Sequence, residues 1–194
     1  MSVVTEKTAP NQQLFNVPNQ LTVLRLLLSV VLFVLIAFEY YLVSTVLFVI
    51  AASTDWLDGY WARKYGQVTN LGRILDPFVD KIIICGTFIF LVAVPASGVA
   101  AWMAVVIVGR ELLVTALRSY LEGEGADFSA SMSGKLKMVV QCVAATLALV
   151  ALYYGEPRPE ALQAALTISI WAAVAITVYS GVAYIQRAIL LLRR

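Results

Sequence analysis

Four aspartates crowd one stretch of an otherwise apolar chain, Ser53 to Lys81, STDWLDGYWARKYGQVTNLGRILDPFVDK. Asp55 and Asp58 are three residues apart and Asp76 and Asp80 four apart, so on helices each pair projects from one face of its own helix. Two such helices facing each other would converge four carboxylates on one point. Four like charges in a low dielectric cannot all stay ionised unless cations neutralise them. An acid-only donor set selects hard cations such as Mg²⁺, Mn²⁺ or Ca²⁺, and this one has charge enough for two. Gly59 and Ala62 lie one turn beyond the first pair, where small residues let a ligand approach the helix backbone, and Gly72 opens space four residues before Asp76. Arg63 adds a planar fork suited to phosphate. Together these residues describe a carboxylate–metal site beside a groove for a polyphosphate ligand.

Two other readings compete. Aspartates at helix ends serve as solvated caps, and the helix dipole by itself accounts for one at a helix start such as Asp76; four with small residues between them exceed what capping needs. A divalent-cation transporter would also use intramembrane carboxylates as ligands. Transport sites, however, sit near the midplane among broken helices and inverted repeats, whereas this cluster falls near one face of a chain with no internal repeat.

The elements that must position the aspartates are membrane helices. Of 194 residues 61% are hydrophobic and 13% charged, and the mean hydropathy is +0.85, well outside the range of soluble domains. Six predominantly apolar stretches approach the roughly 20 residues a span needs: about 21–38, 41–62, 77–95, 99–121, 136–154 and 161–185. Short connectors, Glu39 with Tyr40 and the run PASG, predict tight helical hairpins; Lys64 to Asp76, Glu122 to Lys135 and Gly155 to Glu160 are too small for another domain. With six spans, 13 of the 14 lysines and arginines fall on the side of the two termini, Arg158 being the exception. The positive-inside rule makes that side cytoplasmic, and the aspartates share it. Residues 1–20 form an N-terminal cytoplasmic or interfacial segment without the apolar core of a signal peptide, and the amino terminus is expected to survive in the mature protein.

Composition also excludes chemistries. The chain has no histidine, which removes His triads, His-ligated metals and His proton shuttles. Cys85 and Cys142 each lie in apolar runs, as small buried side chains do. A net charge of +2 with scattered basic residues gives no nucleic-acid footprint.

The full spacing, Asp55-x2-Asp58-Gly59-x2-Ala62-Arg63-x8-Gly72-x3-Asp76-x3-Asp80, resembles without a gap the signature of the CDP-alcohol phosphatidyltransferase family. Three further stretches, VPNQLTVLR (Val17 to Arg25), GRELLVTALR (Gly109 to Arg118) and SGKLKMVVQ (Ser133 to Gln141), resemble its bacterial phosphatidylglycerophosphate-forming branch, with Met138 standing where that branch has Thr. The resemblance runs from about residue 16 to the end, with residues 21–194 as the family's membrane domain. It implies an all-α integral membrane enzyme of six transmembrane helices around a cytoplasmic-facing polar cavity, a homodimer in the bacterial inner membrane.

The implied reaction moves the phosphatidyl group of CDP-diacylglycerol to sn-glycerol 3-phosphate, giving phosphatidylglycerophosphate and CMP in phospholipid biosynthesis. Phosphatidylglycerol, inositol phosphate or serine are the alternative acceptors. The resemblance implies two Mg²⁺ or Mn²⁺ ions on Asp55, Asp58, Asp76 and Asp80, with Asp80 as general base. The donor would bind at Asp55, Asp58, Gly59, Ala62, Arg63 and Gly72, joined by Asn19 and Thr22, which are equally good helix caps.

An acceptor that carries a phosphate needs fixed cations. Arg110 and Arg118, two turns apart and roughly 80° around the axis of span four, are candidates, with Lys135 and Lys137 at the mouth of span five. Arginines at membrane depth are costly, which favours a ligand; the alternative is that Arg110 pairs with Glu111 or Asp80 and that Arg118 snorkels to the interface. Trp56, Tyr60 and Trp61, inside the motif, suit packing between helices better than stacking on cytosine.

Overall fold

Helices account for nearly all the described backbone. The computed structural model describes residues 17–65, 70–123 and 132–192, in which six α-helices follow one another: α1 (Val17–Ala37), α2 (Tyr41–Tyr65), α3 (Asn70–Val92), α4 (Ala101–Gly123), α5 (Met132–Tyr154) and α6 (Glu160–Leu192). No strand occurs among the described residues. The six apolar stretches thus become six helices, but α3 starts at Asn70, well before the apolar run that opens at Pro77. Apolarity marks where a chain is greasy, and the polar residues of NLGRILD are helical without being greasy. The expected connector Lys64 to Asp76 is accordingly shorter, and Gly72 lies inside a helix. The N-terminal segment up to residue 16 and most of the α4–α5 connector lie outside the described residues.

The turns follow from local chemistry. At the end of α1, Tyr40 N–H donates to the Leu35 carbonyl at 2.9 Å and Glu39 N–H to the Ile36 carbonyl at 3.0 Å, with Glu39 at φ 64. That is a Schellman cap with a glutamate in the left-handed position glycine usually holds. Between α3 and α4 a 3₁₀ turn, Pro95–Ser97, closes on Gly98 at φ 73, and the Ser97 hydroxyl ties back to the Leu91 carbonyl at 2.7 Å. Gly155, φ 71, plays the same terminating part after α5.

The helices pack in a closed order, α1 on α2, α2 on α5, α5 on α6, α6 on α4, α4 on α3 and α3 back on α1, while α3 also meets α5 across the middle. The main core joins Leu32 and Ile36 of α1, Phe48 of α2, Phe88 and Leu91 of α3, Ile107 of α4 and Leu166 and Ile170 of α6 around α5. Ala144, Ala145, Ala148 and Ala151 of α5 are fully buried; small residues are what let neighbouring backbones approach one helix from several sides. A second, smaller core of Val114, Leu121, Tyr184 and Ala188 joins α4 to α6.

The outer surface is as apolar as the core, unlike that of a soluble bundle, and several polar side chains are buried. Ser29, Thr87, Gln141, Thr177 and Ser180 are fully buried, while Val105 and Ile168 are each 69% exposed and Leu112, Tyr179 and Leu190 lie on the same outer surface. Hydroxyls bond back along their own helices, Ser29 to the Arg25 carbonyl, Thr87 to Ile83 and Thr146 to Cys142, at 2.7–2.8 Å, which satisfies them without water. Among the described residues, Leu136–Tyr154 and Glu160–Leu191 are long and apolar enough to cross a membrane by themselves, and Thr22–Ala37, Tyr41–Ser53 and Lys81–Val92 are shorter apolar helices.

Candidate active site

The aspartate motif occupies two consecutive helix ends. Asp55, Asp58, Gly59, Ala62 and Arg63 fall in the last three turns of α2, and Gly72, Asp76 and Asp80 in the first three turns of α3. Helix continues through all eight positions, so the i,i+3 and i,i+4 spacings hold on the backbone and each pair keeps one face. α2 and α3 also touch. The side chains of these eight residues, and those of Asn19 and Lys135, lie outside the described part of the molecule. Thr22 is described: it is buried on α1, one turn before Arg25 and two before Ser29, which are buried with it. α1 therefore turns a polar strip inward.

A second polar cluster lies between α4, α5 and α6, and its side chains are fully described. Glu111, on α4, is 7% exposed. Its Oε1 accepts from Arg110 Nη1 at 3.2 Å and also pairs with Lys137 Nζ of α5. Arg110 Nη2 donates to Ser180 Oγ of α6 at 2.5 Å, and the guanidinium lies 5.3 Å from the centre of the Tyr184 ring, within cation–π range. Arg118 Nη2, two turns along α4, reaches the Tyr184 hydroxyl at 3.4 Å. One turn from Lys137, Gln141 Nε2 donates to Thr177 Oγ1 at 2.8 Å.

Two guanidinium or ammonium cations thus share one buried carboxylate, so Arg110, Lys137 and Glu111 together carry one net positive charge. Burying ions is expensive unless they are paired and further hydrogen-bonded, and Ser180 and the Tyr184 face provide the additional partners. Cys85, five residues after Asp80 on α3, lies within Coulombic range of Glu111, Lys137 and Lys81. Five residues of helix rise about 7.5 Å, so the cationic cluster adjoins the helix that carries Asp76 and Asp80.

Of the expected acceptor residues, then, Arg110 and Lys137 meet through Glu111, and Arg118 joins them through Tyr184. The pairing of Arg110 with Glu111, the alternative drawn from sequence, is present. Sequence reasoning missed Thr177, Ser180 and Tyr184, the α6 side of the cluster. Their signal is phase: Thr177, Ser180, Gly181, Tyr184 and Ala188 recur at helical spacing, and all are buried.

A family model described as CDP-alcohol phosphatidyltransferase matches residues 15–179. The chain is similar to a Bacillus subtilis protein named CDP-diacylglycerol–glycerol-3-phosphate 3-phosphatidyltransferase, 35% identical over 189 residues, covering 90% of this chain and 95% of that protein. A protein of the same name from Haemophilus influenzae is 33% identical over 181 residues, 90% of this chain and 94% of the relative. One from Pseudomonas fluorescens is 40% identical over 109 residues, 55% of this chain and 56% of the relative.

Proposed function

The chain belongs to the CDP-alcohol phosphatidyltransferase family, and from that premise we propose that it transfers the phosphatidyl group of CDP-diacylglycerol to sn-glycerol 3-phosphate, forming phosphatidylglycerophosphate and CMP for phospholipid synthesis. The observation that carries the reading is the likeness to the Bacillus subtilis enzyme along 90% of the chain, because that relative's name states both donor and acceptor.

The residues divide the work. Asp55, Asp58, Asp76 and Asp80, two pairs on consecutive helices, would hold two divalent ions, Mg²⁺ or Mn²⁺; an all-carboxylate donor set fits hard cations. When bound, such ions neutralise the diphosphate and the departing CMP. Gly59, Ala62 and Gly72 would leave room for the cytidine diphosphate, Arg63 would add a phosphate fork, and Asn19 and Thr22 of α1 would join the donor site. The acceptor's primary hydroxyl attacks the phosphatidyl phosphorus; the new P–O bond forms as the bond to CMP breaks, and Asp80 takes the hydroxyl proton. Arg118 and Lys135 meet the acceptor's phosphate, and the net positive charge of Arg110, Lys137 and Glu111 attracts it.

The surroundings are a bilayer. An exterior of exposed Val105, Leu112, Ile168 and Leu190 around buried serines, threonines and Gln141 suits hydrocarbon as solvent. All six helices span, with both termini and the site on the cytoplasmic side of a bacterial inner membrane, and the enzyme is a homodimer.

The test is to mix purified protein with CDP-diacylglycerol, Mg²⁺ and one alcohol at a time and to follow CMP. Release with sn-glycerol 3-phosphate is expected. No CMP with any acceptor would sink the enzyme reading, and CMP with phosphate-free alcohols alone would reassign the acceptor.

A further inference from the structure

Arg110 and Arg118 lie on the same helix, yet their surroundings are unlike. Arg110 is engaged on three sides: Glu111 at 3.2 Å, Ser180 at 2.5 Å and the Tyr184 ring at 5.3 Å. Its stem is fitted as closely, since a Cβ on Gly181 would stand 3.3 Å from Arg110 Cγ. Arg118, by contrast, is held through the Tyr184 hydroxyl at 3.4 Å, with no carboxylate or ring partner of the kind that engages Arg110 among the described residues, while the Nε of each arginine is buried without a hydrogen-bond partner there. A buried guanidinium N–H with no acceptor is costly, and an incoming anion would relieve it.

Tyr184 therefore touches both arginines, one with its ring and the other with its hydroxyl. It is 3% exposed and sits in the small core with Val114, Leu121 and Ala188, so packing fixes the ring. Arginine has one of the largest rotamer entropies, and a group that holds it in place beforehand lowers the cost of binding its ligand.

We propose that Tyr184 is a positioning residue: it aims Arg118 at the phosphate of the acceptor, and Arg110, clamped by Glu111 and Ser180, is the base on which Tyr184 rests and not a phosphate ligand. This rests on the reading that the acceptor is glycerol 3-phosphate. It divides two arginines that look equivalent in sequence into one that binds and one that supports.

The experiment is a double-mutant cycle on the purified full-length protein, following CMP release. Tyr184→Phe keeps the ring over which Arg110 lies and removes one oxygen. It is expected to raise the KM for glycerol 3-phosphate about three- to tenfold, with kcat and the KM for CDP-diacylglycerol within about twofold of the parent. In an Arg118→Ala background the same change is expected to add nothing. Ser180→Ala, which loosens Arg110 without touching the ring, gives a smaller rise in the same KM, also absent without Arg118. A Tyr184→Phe effect that persists undiminished in the Arg118→Ala background, that falls on kcat and both KM values alike, or that is missing altogether overturns the proposal. If Arg118→Ala itself leaves the acceptor KM unchanged, the phosphate pocket is misplaced and the role of Tyr184 falls with it. If the parent protein releases no CMP with glycerol 3-phosphate, the assigned reaction has failed, which is a separate result.

Discussion

Asp80 is the residue on which the proposed chemistry turns, and its double role in that proposal gives it a distinct expected phenotype. On the proposed mechanism Asp55, Asp58 and Asp76 serve as ligands, whereas Asp80 is ligand and base together. Asp80→Asn keeps the size and one oxygen but cannot take a proton, so CMP release is expected to drop by about 10²- to 10⁴-fold, while CDP-diacylglycerol still binds within about tenfold of the parent. Radiolabelled-donor binding set beside the CMP assay checks both halves. At this scale legibility depended on chemical type. Four carboxylates in an apolar chain announce themselves by charge, and their spacing of three and four residues gives the geometry. Ser180 and Tyr184 carry no such mark, because a serine and a tyrosine in an apolar helix are ordinary; only a partner reaching across from α4 gives them meaning. The same holds for Glu111, visible in sequence as a neighbour of Arg110 but not as the carboxylate that also holds Lys137.

Between elements, the closest fit described is α1 against α3. A Cβ on Gly86 would stand 2.7 Å from Phe33 Cε1, and Phe33 is itself stacked on Phe90 with ring centres 5.1 Å apart. Gly86→Ala has two opposed effects. Alanine favours a helix over glycine by about 1 kcal/mol, but forcing a methyl into a packed interface costs about 1–3 kcal/mol, and a ring already stacked on a neighbour cannot swing clear. The clash is expected to win, lowering the unfolding midpoint by about 2–4 °C for each kcal/mol lost; thermal unfolding in detergent measures it, and a raised midpoint would show that the ring yields freely. Helix number and most boundaries were legible because apolar runs and their breaks are long-range patterns: Glu39 with Tyr40 and the PASG run do end helices. The start of α3 was not, since its first turns are polar, and neither was the order of packing, which depends on which small residues face which neighbour.

For the molecule as a whole, the described residues form an apolar core with buried polar clusters set into it, inside an apolar coat. If the four carboxylates converge as proposed, they are tolerable only when cations compensate them. Stripping divalent ions with EDTA is accordingly expected to abolish CMP release, and adding Mg²⁺ or Mn²⁺ to restore it, whereas Na⁺ or K⁺ at the same ionic strength does not; activity that survives exhaustive chelation would remove the metal from the scheme. Charge alone gives the expected sidedness, with Arg158 the lone basic residue opposite the termini. In the fold Arg158 reaches across to the Ala96 carbonyl at 2.9 Å, fastening the α5–α6 turn to the α3–α4 turn.

The length of α6 has a consequence for where two unlike substrates can meet. Its 33 residues make a rod of about 50 Å, against about 30 Å of hydrocarbon, and a tilt of up to about 40° does not absorb the difference. On the proposed bilayer placement, with an upright α6 entering the hydrocarbon at Glu160, about twenty residues exhaust it and bring the helix to Ser180; Tyr184 and Ala188, packed with Val114 and Leu121 of α4, would then stand in the headgroup layer. The overhang sets the height of a landing stage. On that placement a water-borne glycerol phosphate can dock on it without leaving the aqueous phase, while the lipid donor slides in from the side with its tails still dissolved in the bilayer, and the bond between them would be made on the boundary of the two solvents.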